Sequence, residues 1–220
     1  MSRIAIFDCD GTLVDGQANV CLAMEEAFAA ASLEAPSRAL IRRAVVLSLP
    51  QAMAMLLPGS TPAEQEMLAE SYRLAFREHR RLGQVDEPLF DGIAPLLRQL
   101  HAEGWQLAVA TGKSRRGLRH CLATHGVSDL FSSLQTADDH PSKPDPAMIA
   151  AVLWETGIDA KDAVMIGDTS FDMLMASAAG VRAIGVDWGY HHAEELLATG
   201  AERVAETVEE LAGMLEVTSG

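Results

Sequence analysis

Ile4-Ala5-Ile6-Phe7-Asp8-Cys9-Asp10-Gly11-Thr12-Leu13 is the stretch on which the fold turns. Four apolar residues run into two acids one residue apart, and then into glycine. A short unbroken apolar run is the mark of a strand buried on both faces, as in a parallel sheet. In open parallel sheets, ligands lie beyond the carboxyl ends of the strands, and that is where these acids fall. Alternation along an extended chain would set Asp8 and Asp10 on one side. Two such carboxylates repel by about 4 kcal/mol at a 4 Å separation and an effective dielectric of 20. The pair therefore predicts a bound cation, although solvated acids at a strand end would fit this stretch taken by itself.

Working outward, a helical pattern follows at Val20, Ala23, Met24, Ala27, Phe28 and Ala31, apolar at three- and four-residue steps. Further helical segments follow with no strand between them. Thr61-Pro62-Ala63-Glu64 starts one of them, with a threonine cap, proline at the first position and glutamate closing a capping box. Met53, Met55 and Met67 read as core filler. After Pro88 the pattern changes. Strands at 105–110, 163–166 and 181–186 alternate with helices that end at glycines. The expected fold class is therefore α/β: a doubly wound, Rossmann-like parallel-sheet core, residues 1–14 and 88–220, with an inserted all-helical domain over 15–87. Thr207 and Glu210 are expected to cap the last helix as a second capping box.

Composition excludes several classes. The 220 residues are 49% apolar and 22% charged, as in an ordinary globular protein. A formal charge of -14 disfavours nucleic-acid and anionic-membrane partners. No apolar run reaches the roughly 18–20 residues of a membrane span. Cys9, Cys21 and Cys121 lack metal-ligand spacing and make no disulfide framework. With no basic-then-apolar leader at the start, a cytoplasmic setting is expected. The association state, monomer or homodimer, is open.

Three more predicted strand ends carry chemistry. The second ends in Thr111-Gly112-Lys113, a hydroxyl, an exposed backbone N–H and an amine at a helix start, where anions bind. Lys143 sits in the proline-rich loop Pro141-Ser142-Lys143-Pro144-Asp145-Pro146. The chain has only three lysines, Lys113, Lys143 and Lys161, and the first two fall in such loops. A lysine ammonium is a point charge suited to phosphate. Gly167-Asp168-Thr169-Ser170-Phe171-Asp172 follows the next strand, and a helix would bring Asp172 back towards Asp168. Trp188-Gly189-Tyr190-His191 follows the last apolar strand and stands where it could rim the same site. The constellation reads as Asp8, Asp10 and Asp168 for a divalent cation, with Lys143, Thr111 and Gly112 for an anion. Oxygen ligands without Cys or His favour a hard ion such as magnesium, Mg2+.

Asp8-Cys9-Asp10-Gly11-Thr12, then Thr111, Lys143, and Gly167-Asp168-Thr169 with Asp172, in that order, resemble the haloacid dehalogenase (HAD) superfamily of aspartate-nucleophile phosphatases. The helical insert, with Ala110-Thr111-Gly112-Lys113-Ser114 and Ser142-Lys143-Pro144-Asp145-Pro146, is similar to the phosphoglycolate phosphatase branch and its helical cap. The resemblance implies a magnesium-dependent phosphoric monoester hydrolase acting on a small phosphorylated metabolite, phosphoglycolate-like or a sugar phosphate. In that reading Asp8 is the nucleophile and Asp10 the general acid and base. Asp8, Asp168 and the Asp10 carbonyl hold the metal, and Asp172 steadies its surroundings. Arg42, Arg43 and Lys113 are candidates for contact with the substrate. A sugar-phosphate mutase resembling beta-phosphoglucomutase uses the same acids and is the first alternative. A receiver-like signalling domain is a more distant one, which the long insert and the position of Asp8 disfavour.

Overall fold

The computed structural model describes residues 3–45, 47, 49–83 and 87–216. In chain order come β1 (Ile4–Phe7), α1 (Gln17–Ala30), α2 (Arg38–Val45), α3 (Leu49–Leu56) and α4 (Pro62–Arg81). Then follow α5 (Ile93–Ala102), β2 (Gln106–Thr111), α6 (Arg115–Thr124), β3 (Phe131–Thr136) and α7 (Ala147–Thr156). The chain closes with β4 (Ala163–Gly167), α8 (Ser170–Ala178), β5 (Arg182–Val186), α9 (Ala193–Ala198), β6 (Arg203–Ala205) and α10 (Val208–Glu216). Two compact units result, one from Met1–Val14 with Leu89–Gly220, the other from Asp15–Pro88.

The first unit is the α/β core expected from the sequence. Its six strands are all parallel, in the order β3-β2-β1-β4-β5-β6. Alternation in β1 feeds two hydrophobic layers. Ile4 and Ile6 pack with Ala108, Ala110, Met165 and residues of α7, α8 and α9. Ala5 and Phe7 pack with Leu107, Val109, Val164, Ile166 and residues of α5, α6 and α10. All four β1 residues are fully buried, and burying a large apolar side chain stabilises by about 1.5–3 kcal/mol. β1 lies between β2 and β4, whose connections lead away in opposite directions. Such a switch point opens a crevice beyond the strand's carboxyl end.

Two strands go beyond those expected, β3 and β6, and these are the two edges of the sheet. β3 is Phe-Ser-Ser-Leu-Gln-Thr and β6 is only three residues long, so neither presents an apolar run. The capping box expected for α10 also differs. Thr207 accepts from the Glu210 N–H at 3.2 Å, but the Glu210 carboxylate turns to the Glu206 N–H instead.

The second unit contains α1 to α4 around a core that includes Val20, Met24, Phe28, Ile41, Met53 and Leu68. Its ends meet where Asp15 N–H donates to the Pro88 carbonyl at 2.9 Å. The capping box of α4 is formed as predicted, with Thr61 and Glu64 exchanging bonds. Met53 is buried, but Met55 and Met67 are 38% and 61% exposed. The inward positions of α3 are Ala52, Met53 and Leu56, so Met55 falls out of phase, as Met67 does beside Leu68. Among the described residues, no helix is long and apolar enough to cross a membrane.

Candidate active site

Asp8 stands one residue past β1, and its N–H still donates to the Ile166 carbonyl of β4 at 2.9 Å. The chain then folds sharply, because the Leu13 and Val14 N–H groups both return to the Cys9 carbonyl at 2.9 and 3.0 Å. Gly11 adopts φ +88 in this turn, a conformation that costs glycine little. Strand alternation therefore stops at Phe7 instead of continuing to Asp10. The two acids meet different cations: Lys143 Nζ lies 2.9 Å from Asp8 Oδ1, and Lys113 Nζ lies 2.5 Å from Asp10 Oδ1. The Lys143–Asp8 approach is a close ion pair without the alignment of a hydrogen bond.

Asp168 follows β4 and is fully buried. The Thr12 hydroxyl donates to its Oδ1 at 2.7 Å, and the Tyr190 N–H donates to its Oδ2 at 2.9 Å. Asp172 lies in the first turn of α8. Its Oδ1 accepts from Lys143 at 2.6 Å, and its Oδ2 accepts from the Thr169 N–H and hydroxyl at 3.1 and 2.7 Å. One carboxylate oxygen from each of Asp8, Asp168 and Asp172 falls within 4.8 Å of the others.

This crowding shows in the acid strengths. Burial pushes the Asp8 carboxyl up to about 6, with Asp172 and Asp10 adding to the rise and Lys143 opposing it. Burial, then Asp8 and Asp172, hold Asp168 well above the ordinary carboxylate range, against the bonds from Thr12 and Tyr190. Burial would lower the Lys143 ammonium, but Asp172 and Asp8 outweigh it and keep the lysine charged. With all three carboxyls ionised against one ammonium, two negative charges would share a buried space. An all-oxygen donor set with that surplus fits a hard divalent cation. Asp172 is the most saturated of the three, so its observed work is to hold Lys143 and cap α8.

The backbone closes tightly on Asp168. A Cβ at Gly11 would overlap Asp168 Oδ2 and the Tyr190 ring, and one at Gly189 would overlap the Asp168 side chain. Gly189→Ala is accordingly expected to displace Asp168, costing about 1–3 kcal/mol of stability as overpacking does and at least tenfold in kcat. Thermal melts and steady-state assays of that variant check this.

The structure thus brings Asp8, Lys143, Asp168 and Asp172 into one cluster, with Asp10 and Lys113 paired in the loops after β1 and β2. Thr111 ends β2, buried, its Oγ1 accepting from the Lys113 N–H at 3.2 Å, and Gly112 is exposed beside it. Arg42 and Arg43 belong to the other unit, exposed on α2, with Arg42 beside the Cys21 thiol. Thr12 and the backbone of Gly189 and Tyr190 were not singled out for holding Asp168. Gly189 and Tyr190 lie in the stretch past β5 that was expected to rim the site, and Tyr190 does so through its N–H on Asp168. Trp188 joins them, its Nε1 donating to the Thr12 carbonyl at 3.2 Å.

A doubly wound core carrying acids and a lysine at the ends of its central strands is suited to phosphoryl-transfer chemistry. The family model described as haloacid dehalogenase-like hydrolase matches residues 5–186, and the chain belongs to that family. The protein named Probable phosphatase IndB from Dickeya dadantii is 35% identical over 218 residues, covering 97% of this chain and 93% of that protein. A phosphoglycolate phosphatase from Vibrio cholerae is 28% identical over 199 residues, 88% of each chain. Among solved structures, a hydrolase from Pseudomonas syringae superposes with a TM-score of 0.85 at 25% identity, covering 100% of both chains. The family resemblance read from the sequence is borne out.

Proposed function

We propose that this chain is a magnesium-dependent phosphatase that hydrolyses a small phosphomonoester, phosphoglycolate-like or a sugar phosphate, through an aspartyl-phosphate on Asp8. The observation that carries this reading is the approach of the Asp8, Asp168 and Asp172 oxygens to within 4.8 Å of one another beside buried Lys143. Asp8, Asp168 and the Asp10 carbonyl would hold the ion, which when bound offsets the charge between the Asp8 carboxylate and a phosphate dianion. The Asp8 carboxylate attacks phosphorus while the ester P–O bond breaks, and Asp10 passes its proton to the departing oxygen. Asp10 then takes a proton from the water that cleaves the acyl phosphate and regenerates Asp8. Lys143, Thr111 and the Gly112 N–H hold the remaining phosphoryl oxygens. Asp172 keeps Lys143 in place. Residues 15–87 serve as the cap, the part that reads the leaving group, with Arg42 and Arg43 as its candidate contacts. The relatives named phosphoglycolate phosphatase support the substrate class. Three buried cysteines, none in a disulfide among the described residues, suit a reducing cytoplasm.

A phosphate-release screen over small phosphomonoesters, with and without magnesium, tests the reading. Phosphate release that is lost on chelation and regained with magnesium is expected. An isomerised sugar phosphate with no free phosphate would instead reveal a mutase. Because a cation must displace the protons favoured on Asp8 and Asp168, magnesium is also expected to raise the Tm more at pH 7.5 than at pH 5.5. Equal shifts at the two pH values would contradict that site.

A further inference from the structure

The ion pair between Lys113 and Asp10 joins groups 103 residues apart in sequence. Its side chains are 11% and 21% exposed, half-sheltered but reachable. Lys113 is fixed along its length. At its root, the backbone N–H donates to Thr111 Oγ1 at 3.2 Å. Its stem lies along the first turn of α6, where a Cβ on Gly117 would come within 3.6 Å of its Cγ. At its tip, Nζ meets Asp10 Oδ1 at 2.5 Å. Lys113 therefore ties the turn after β1 to the loop after β2. Its ammonium is engaged by a carboxylate, unlike a lysine held ready for phosphate alone.

We infer that Lys113 is a positioning residue that sets where the Asp10 carboxyl stands, and through it the transfer of a proton to the leaving oxygen. The inference rests on the proposed role of Asp10 as general acid. In that step the Asp8 O–P bond forms, the ester O–P bond breaks, and a proton that Asp10 has taken up from solvent before the chemistry goes to the departing alkoxide. A misplacement of about 1 Å at such a group can cost about 100-fold. The cost falls on leaving groups that need the proton. An alkoxide needs it, whereas p-nitrophenolate leaves without it.

The experiment compares Lys113→Met, Lys113→Gln, Lys113→Arg and Asp10→Asn with the wild type. The substrates are p-nitrophenyl phosphate and the alkyl phosphomonoester that the wild type turns over fastest. The quantity read is leaving-group release in the first turnover, before the acyl phosphate is hydrolysed with the help of Asp10 whichever substrate formed it. For Lys113→Met and Lys113→Gln that rate is expected to fall by about 10- to 100-fold on the alkyl ester and by under threefold on the aryl ester. KM should stay within twofold on both, and Lys113→Arg should restore most of the loss. Asp10→Asn should show the same selectivity with a larger amplitude. If Asp10→Asn is selective but the lysine variants lose both substrates equally, lose neither, or lose through KM, the inference about Lys113 is overturned and the reading of Asp10 stands. If Asp10→Asn shows no selectivity, the reading of Asp10 fails and this inference falls with it.

Discussion

Asp8→Asn is expected to abolish turnover, lowering kcat by about 10⁴-fold or more, as loss of a covalent nucleophile does. Asparagine has nearly the shape of aspartate but no ionised oxygen to attack phosphorus. It keeps the place at the end of β1, so the loss is chemical and the fold persists. A second reading of the same variant separates the two effects. Burial pushes the Asp8 carboxyl up to about 6, which means that its ionised form costs the folded protein stability at pH 7.5. Asparagine removes that cost, so the metal-free variant is expected to melt at or above the wild-type temperature while losing phosphoenzyme and phosphate release. Activity within tenfold of wild type would rule out Asp8 as the nucleophile.

Lys143→Met is expected to give the largest loss of stability, about 3–5 kcal/mol, the range for removing one partner of a buried ion pair. Lys143 is 3% exposed and approaches both Asp8 and Asp172. Without it, three buried carboxylates face one another with no internal counter-charge. The pH dependence has a definite sign. A carboxyl raised from 3.8 to about 6 on folding holds a proton in the native state that the unfolded chain has released. Its unfavourable contribution is relieved as pH falls through 6 and returns as pH rises above it. Lys143 opposes that rise in the wild type, so its removal enlarges the penalty. The deficit of Lys143→Met against wild type should be greatest near pH 7.5 and shrink by pH 5, as read from urea midpoints in chelator. A deficit that is the same at both pH values would show that Lys143 does not neutralise these acids.

The four inner strands of the sheet were legible in the sequence because they are buried and therefore written in apolar runs: Ile4 to Phe7, Leu107 to Ala110, Ala163 to Ile166, and the stretch 181–186 that holds β5. Phe131–Thr136 and Arg203–Ala205 were not, because each has only one neighbouring strand. In β3, Ser133 and Gln135 are buried through bonds to each other and to Glu155, and a pattern of apolar residues cannot announce such a network. The side chains of the site were readable for a related reason. Carboxylates and lysines at the ends of apolar strands have few other uses. What holds Asp168 is mostly backbone: the Tyr190 N–H, and the missing side chains of Gly11 and Gly189. Main-chain donors leave no chemical signature in the residues that carry them. The separate pairing of Asp8 and Asp10 escaped notice because strand alternation was carried past Phe7 into a turn.

The position of β1 between β2 and β4 has a consequence for how the protein is made. The strand leaves the ribosome before either of its partners, which begin at Gln106 and Ala163. Pairings so distant along the chain are slow to find. The helical segment, whose neighbours are local, is placed to condense well before them. The apolar stretch Ile4–Phe7 is thus left without a sheet until those partners emerge, a period in which chaperones, or aggregation, would find it exposed.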